Sequence, residues 1–432
     1  MPFTSRRHFI AGLAGAGVAL PVFSERAAAQ LFKAEMVAGA RTAAELASDE
    51  SYWSEIQRAF DSDRTMINLN NGGISPTPSH VLEQMIRDLR FVNELPVEHN
   101  WRVLEPRMES TRRELAKEFG CDPEEMAITR NASEGLEIMI LGIDLQRGDE
   151  VIVTNQNYGR MITTWQQRER REGIVLKQVS FPVPLLDPQV LLRNIEAAIT
   201  PRTKVIELTH ITNLTGQILP IRDVVRMARP RGIEVFVDGA HAFAHFPFKR
   251  DELDCDYYAT SLHKWMHAPI GSGFLYVRKE RIPKLWPMMG SDVSRVANVR
   301  KYEEIGTHPQ ANFNAVSVAI AFHRGIGAER KIARLRYLRD RWAKALQADS
   351  PRVRVLTELG PDRAGAICMF GVDGLDPVKL GSWMLANHRI VNTPIVHPEF
   401  NGIRITPSIY TSIDEIDTFV DTVKVAIRKG IA

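Results

Sequence analysis

Between Met126 and Val277 the chain alternates short apolar runs with stretches of helical periodicity, and no other feature narrows the fold as far. The runs at Met126–Thr129, 151–154, 174–179, 205–210, 233–237 and Gly273–Val277 read as strands. The segments 136–145, 161–171, 188–199 and 221–229 read as helices between them. Strands this short and apolar, separated by helices, form a mainly parallel sheet covered on both faces. Upstream, 30–65 reads as one or two amphipathic helices, 68–78 as loop, and 79–92 and 101–118 as helices. From about residue 311 the pattern changes to long helices near 313–348 and 412–428, with isolated strands at 366–371 and 403–406. The expected organisation is α/β: a helical segment and loop over 30–75, a large domain over 76–310 and a small α+β domain over 311–432.

Composition closes several other routes. Hydrophobic residues make up 44% and charged residues 25%, ordinary values for a folded chain. After residue 30 no apolar run is long enough to span a bilayer, so no stable membrane anchor is expected. A formal charge of +3 is too small to grip nucleic acid. Cys121, Cys255 and Cys368 stand too far apart for a disulfide framework or a CxxC metal site. The N-terminus carries Arg6 and Arg7 before a weakly apolar stretch, 9–23, and then Ala27, Ala28 and Ala29. That order resembles a bacterial twin-arginine export signal over residues 1–29. The expectation is a mature chain from Gln30, handled by the twin-arginine export machinery and delivered to the periplasm. Because that route carries folded proteins, the cysteines are expected to stay free thiols.

In open parallel sheets the ligand lies beyond the carboxyl ends of the strands. Four strand ends here are polar: Asn131-Ala132-Ser133-Glu134, 155–159 with Tyr158, Asn213-Leu214-Thr215-Gly216 and Asp238-Gly239-Ala240-His241. Asp238 alone reads as a turn residue before glycine. Then comes Thr260-Ser261-Leu262-His263-Lys264-Trp265, with a lysine among small and apolar residues. The chemistry that needs both is pyridoxal 5′-phosphate. A lysine amine forms a Schiff base with its aldehyde, and an acidic partner keeps the pyridine nitrogen protonated. The phosphate needs hydroxyls and a helix N-terminus, which Ser133, Ser261 and His263 suit. Tyr158 is the aromatic available to face the ring.

These segments, with Pro269-Ile270-Gly271-Ser272-Gly273-Phe274 after the lysine, resemble the class V aminotransferase family from about residue 68 to residue 416. Within it the chain is most similar to the isopenicillin N epimerase branch. The resemblance implies the fold type I architecture of pyridoxal-phosphate enzymes, with a mostly parallel seven-stranded sheet, a small C-terminal domain and a homodimer whose active sites lie at the subunit interface. It implies Lys264 as the Schiff-base lysine and Asp238 as the ring-nitrogen partner. Tyr158 takes the stacking position, and Asn213 and His241 lie near the phenolic oxygen. Ala132, Ser133, Ser261 and His263 form the phosphate cup, and Thr307, in Gly306-Thr307, reaches it from the neighbouring subunit. Arg404 grips a substrate carboxylate, with Asn71 and Gly72 beside it, and 410–417 begins the C-terminal helix.

Two other readings use the same residues. His241 with His245, and His263 with His267, are spaced four apart, and with Asp238 would make a metal-dependent hydrolase. That leaves Lys264 and Arg404 unexplained, and neither pair carries the glutamate of a zinc protease. A catalytically dead binding protein would have no need of Lys264. Among pyridoxal reactions, cysteine desulfuration is disfavoured because 390–404 holds no cysteine, and Cys368 lies in an apolar strand pattern. Epimerisation at Cα of an amino-acid-type substrate follows from the nearest branch, although its second acid/base group has no sequence signature. An exported transaminase or related enzyme, tailoring a secreted peptide metabolite such as a siderophore, is the alternative.

Overall fold

The computed structural model describes residues 25–431. A short strand, β1 (Ile67–Asn68), precedes the large domain. Its sheet contains β2 (Met126–Thr129), β3 (Glu150–Thr154), β4 (Val175–Val179), β5 (Thr203–Thr209), β6 (Glu234–Asp238), β7 (Tyr257–Ser261) and β8 (Gly273–Val277). The seven strands run in the order β2-β8-β7-β6-β5-β3-β4. Only β8 is antiparallel to its neighbours. Successive side chains of a strand point to opposite faces, and the sheet buries both. Val235 and Val237 belong to one apolar cluster, while Phe236 between them belongs to the other. The same division separates Ile206 from Val205 and Tyr258 from Tyr257. Strands buried on both faces explain the continuous apolar runs in the sequence.

The small domain holds β9 (Val353–Val355), β10 (Cys368–Val372), β11 (Ile390–Val391), β12 (Thr393–Val396) and β13 (Asn401–Ile405). Four of them form an antiparallel sheet in the order β12-β13-β10-β9, backed by the helices Ala328–Asp349 and Ile413–Lys429. The N-terminal segment reaches into this domain. β1 pairs in parallel with β11, and Leu69 is buried in the small-domain cluster.

Several sequence expectations change. The strand β7 has no counterpart in the sequence reading. The single long helix near 313–348 is two, Gln310–Ile326 and Ala328–Asp349, interrupted at Gly327 with φ +88°. The region 30–65 holds three helical pieces, Glu25–Ala38, Ala43–Leu46 and Glu50–Gln57. The helix expected from residue 136 begins at Ala132, capped by the Asn131 side chain. The C-terminal helix begins at Ile413, after the Ser412 cap, so Tyr410 lies outside it. The twin-arginine motif lies outside the described residues, and the helix Glu25–Ala38 runs through the expected cleavage point after Ala29.

Candidate active site

At the carboxyl ends of the parallel strands lies a cavity of about 430 Å³. β2 delivers Asn131, Ala132 and Ser133, β3 is followed by Tyr158, and β5 by Asn213. β6 ends on Asp238 and leads to Ala240 and His241. β7 ends on Ser261 and leads to His263 and Lys264. Arg404, on β13, closes the cavity from the small domain, with Gly72, Gly73 and Ile74 from the N-terminal loop. The turn after Asp238 depends on glycine: a Cβ on Gly239 would stand 2.0 Å from the Tyr258 ring. At the other side Ser261 accepts from the Ala132 backbone N–H at 3.0 Å, joining the end of β7 to the start of the helix Ala132–Gly142.

Burial sets the charges. Lys264 Nζ lies 3.1 Å from His241 Nε2, and desolvation draws the amine down to about 8, with Asp238 opposing the shift. Loss of water likewise keeps His241 neutral, far below its ordinary value. Asp238 is raised by burial, against the Ala240 N–H it accepts at 2.9 Å and the nearby Lys264. Desolvation pushes His263 down to about 4 and Arg404 down to about 10.

Arg404 is held from three directions. NH1 donates to the Asn213 carbonyl at 2.7 Å, and NH2 to Asn70 Oδ1 at 2.8 Å and Thr393 Oγ1 at 3.2 Å. Thr393 itself donates to Asn70 Oδ1 at 2.6 Å. Sequence reasoning missed Asn70 and Thr393, which carry no signature beyond their places in a loop and opposite Arg404 in the β12–β13 ladder. It named Asn131 at the strand end but gave it no role at the site, although a cap residue there is a usable signal.

Two expected site residues stand outside this cavity, Thr307 being the one expected to serve the neighbouring subunit. Asn71 does not line the cavity. Its amide donates to the Asn68 and Thr406 carbonyls, and its oxygen accepts from Tyr410 OH at 2.6 Å. Asn71 therefore fastens the loop that presents Gly72. Thr307 lies in a separate apolar groove with Leu89, Val97 and Trp101, away from this chain's own cavity. The histidine pairs do not converge: His245 is engaged by the His241 carbonyl and the Ala366 N–H, and His267 by the Pro76 carbonyl. Among the described residues no three His, Cys, Asp or Glu side chains form a metal-holding group.

The residues fit pyridoxal 5′-phosphate. Asn213 Oδ1, His241 Nδ1, His263 Nδ1 and Arg404 Nε are buried polar atoms with no hydrogen-bond partner among the described residues, and all four belong to side chains that line the cavity. Unpaired buried polar groups are costly and call for a polar ligand. The cavity also presents an amine near neutrality, a buried carboxyl for a ring nitrogen and a capped helix N-terminus for a phosphate.

Residues 67–392 match the profile of the family described as aminotransferase class-V. The isopenicillin N epimerase of Streptomyces clavuligerus is 28% identical over 386 residues, covering 85% of this chain and 97% of that protein. A probable cysteine desulfurase of Synechocystis is 26% identical, covering 84% and 91% of the two chains. In fold, the chain is similar to the apo cysteine desulfurase of Thermococcus onnurineus NA1, with a TM-score of 0.75, 22% identity and coverage of 87% and 98%.

Proposed function

The chain belongs to the class V aminotransferase family, and we propose that it acts at Cα of an amino acid, or of a metabolite derived from one, as an isopenicillin N epimerase-like enzyme. It is a pyridoxal-phosphate-dependent enzyme of fold type I. The observation that carries the reading is a single cavity holding the buried amine of Lys264, the buried carboxyl of Asp238 and the buried guanidinium of Arg404.

When bound, pyridoxal phosphate supplies an aldehyde for an amine and a ring that withdraws electrons from the bonds at Cα. Lys264 would hold it covalently, Asp238 would keep a proton on the ring nitrogen, and Asn213 and His241 would serve its phenolic oxygen. Ser133, Ser261 and His263, with the Ala132 end of the helix, would take the phosphate, and Tyr158 would stack on the ring. Arg404 grips the substrate carboxylate, which a planar fork of donors suits. Gly72 lines the cavity beside it, while Asn71 holds the loop in place. A carboxylate fixed in this way leaves the Cα proton to the freed Lys264 amine, the general base.

Return of the proton to the other face gives epimerisation. Transamination is the second reading, since it would need only Lys264 to move the proton, and Lys264 is the one amine among the described residues that line the cavity. None of the three cysteines lines it, and burial raises the Cys255 and Cys368 thiols to about 12, which argues against desulfuration through a cysteine nucleophile. Thr307 and the apolar groove around it support a homodimer in which the second copy completes each site. The Arg6-Arg7 signal supports export to the periplasm by the twin-arginine route, and with it a secreted or maturing metabolite, such as a peptide siderophore, as substrate.

The test is turnover of amino-acid-type substrates in heavy water. Deuterium at Cα with inversion supports the epimerase, and a keto product the transaminase. Loss of carbon dioxide with the Cα hydrogen intact overturns the assignment. Borohydride should fix the cofactor to Lys264 in the wild type and leave no such adduct in Lys264→Ala.

A further inference from the structure

His245 is fully buried and none of its atoms lines the cavity, yet every polar atom of its ring is engaged. Nε2 accepts the Ala366 N–H at 2.7 Å, so Nδ1 carries the proton and donates to the His241 carbonyl at 2.8 Å. The ring stacks on Trp265 at 3.7 Å between centroids and 16° between planes. These contacts reach both neighbours of the active amine, since His241 touches Lys264 Nζ and Trp265 follows Lys264 in sequence. The third contact belongs to the strap over 363–367. That strap leads into β10, where Met369 stands opposite Arg404 of β13. Gly365 leaves room for the ring, because a Cβ there would lie 2.3 Å from Nε2.

The helix Ala328–Asp349 braces the same assembly from behind. Lys331 Nζ donates to the Trp265 carbonyl, Arg339 NH1 to the Ala364 and Gly365 carbonyls at 2.9 and 2.8 Å, and Arg336 Nε to Ala364 at 3.3 Å. With His241, these are the charged and titratable groups around His245. Desolvation keeps the imidazole neutral, drawing its pKa down to about 3, so it stays a fixed donor and acceptor at any working pH.

We propose that His245 is a positioning residue that sets the spacing between the two ends of the site. Its ring ties the Lys264 and His241 end, in the large domain, to the strap that carries the Arg404 end, in the small domain. The inference rests on the reading of Lys264 as the cofactor's anchor. A wild-type protein in which borohydride fixes nothing to Lys264 would refute that reading, independently of what His245 does.

His245→Phe keeps the stack and deletes both hydrogen bonds. His245→Asn can restore the donor to His241, and His245→Gln the acceptor for Ala366. Each is titrated as apoprotein with pyridoxal phosphate, and the pH midpoint of the visible absorption band is read on the loaded protein. That band reports the groups around Lys264, namely Asp238, His241, His263 and Arg404. The Phe variant should bind the cofactor about tenfold more weakly and move the midpoint by about half a pH unit or more, with partial recovery in Asn. Gly365→Ala, which leaves His245 in place and displaces its ring, should move both readouts the same way. A Phe variant with wild-type affinity and midpoint would make the ring simple packing and overturn the proposal. Should the Phe variant fail to fold, unchanged readouts in Gly365→Ala would overturn it equally.

Discussion

A lysine amine is protonated, and so a poor nucleophile, at neutral pH, and burial makes a larger neutral fraction of Lys264 available. Its pKa near 8 means that apoprotein should capture pyridoxal phosphate with a rate that rises through pH 8 and levels off above it, measured by the growth of visible absorbance. A surface lysine would keep rising towards 10.5. Stability follows from the same shift. Between about 8 and 10.5 the unfolded chain binds the extra proton, so the cofactor-free protein should gain stability as pH rises across that window. Lys264→Met, which has no amine to titrate, should lose that slope in thermal melts. Arg404 provides the parallel case at the substrate end. Asn70→Ala removes an acceptor from its guanidinium, and a hydrogen bond to a charged group is worth about 1.5–3 kcal/mol. We expect KM for the substrate to rise roughly tenfold or more, with kcat less affected, and Thr393→Val to follow in the same direction. Neither residue was legible in the sequence, because an asparagine in a loop and a threonine in an edge strand acquire meaning only when folding brings Arg404 between them.

The strands that the sequence displayed most clearly are those with a run of apolar residues on both faces, such as β3 and β6. β7 escaped notice because its last two residues are Thr260 and Ser261, and their burial is made tolerable by bonds the sequence does not reveal. Thr260 donates to the Gly239 carbonyl at 2.8 Å, and Ser261 accepts from Ala132. The polar strand ends, by contrast, were readable as a rim, since polar residues immediately after apolar strands have few structural reasons to be there. The helix Ala132–Gly142 shows how an element positions the site. It lies so close on the sheet that a Cβ on Gly135 would stand 2.8 Å from that of Ala259. Gly135→Val should therefore lift the helix from β7, costing about 1–3 kcal/mol as an overpacked core. It should also draw Ser133 away from Ser261. Urea unfolding would measure the first effect and the apoprotein's affinity for pyridoxal phosphate the second. If affinity stayed at the wild-type level while stability fell, the helix would not be what orients the phosphate cup.

At the scale of the whole molecule, the site depends on parts of the chain that sequence reading assigned to separate regions. The loop bearing Gly72 is fastened to the small domain through β1 and Asn71, and Arg404 reaches back to the Asn213 carbonyl of the large domain. Thr307 is the member that this folding does not bring in. It lies in a groove whose walls include Leu89, Val97 and Trp101, about half exposed at 50%, 61% and 49%. Apolar side chains clustered at such exposure mark an interaction surface. A second copy laid over that groove would both cover it and bring Thr307 to the neighbouring phosphate cup. The dimer reading then makes a joint demand on assembly and cofactor. Trp101→Glu places a charge in the groove and should yield monomers by sedimentation. The same variant should lose cofactor affinity, although Trp101 lines no part of the cavity and Lys264 is untouched. Thr307→Val should weaken the cofactor while leaving the dimer intact. A wild-type protein that stays monomeric at every concentration and still binds pyridoxal phosphate tightly would show that each chain completes its own site, and the groove would then need another occupant.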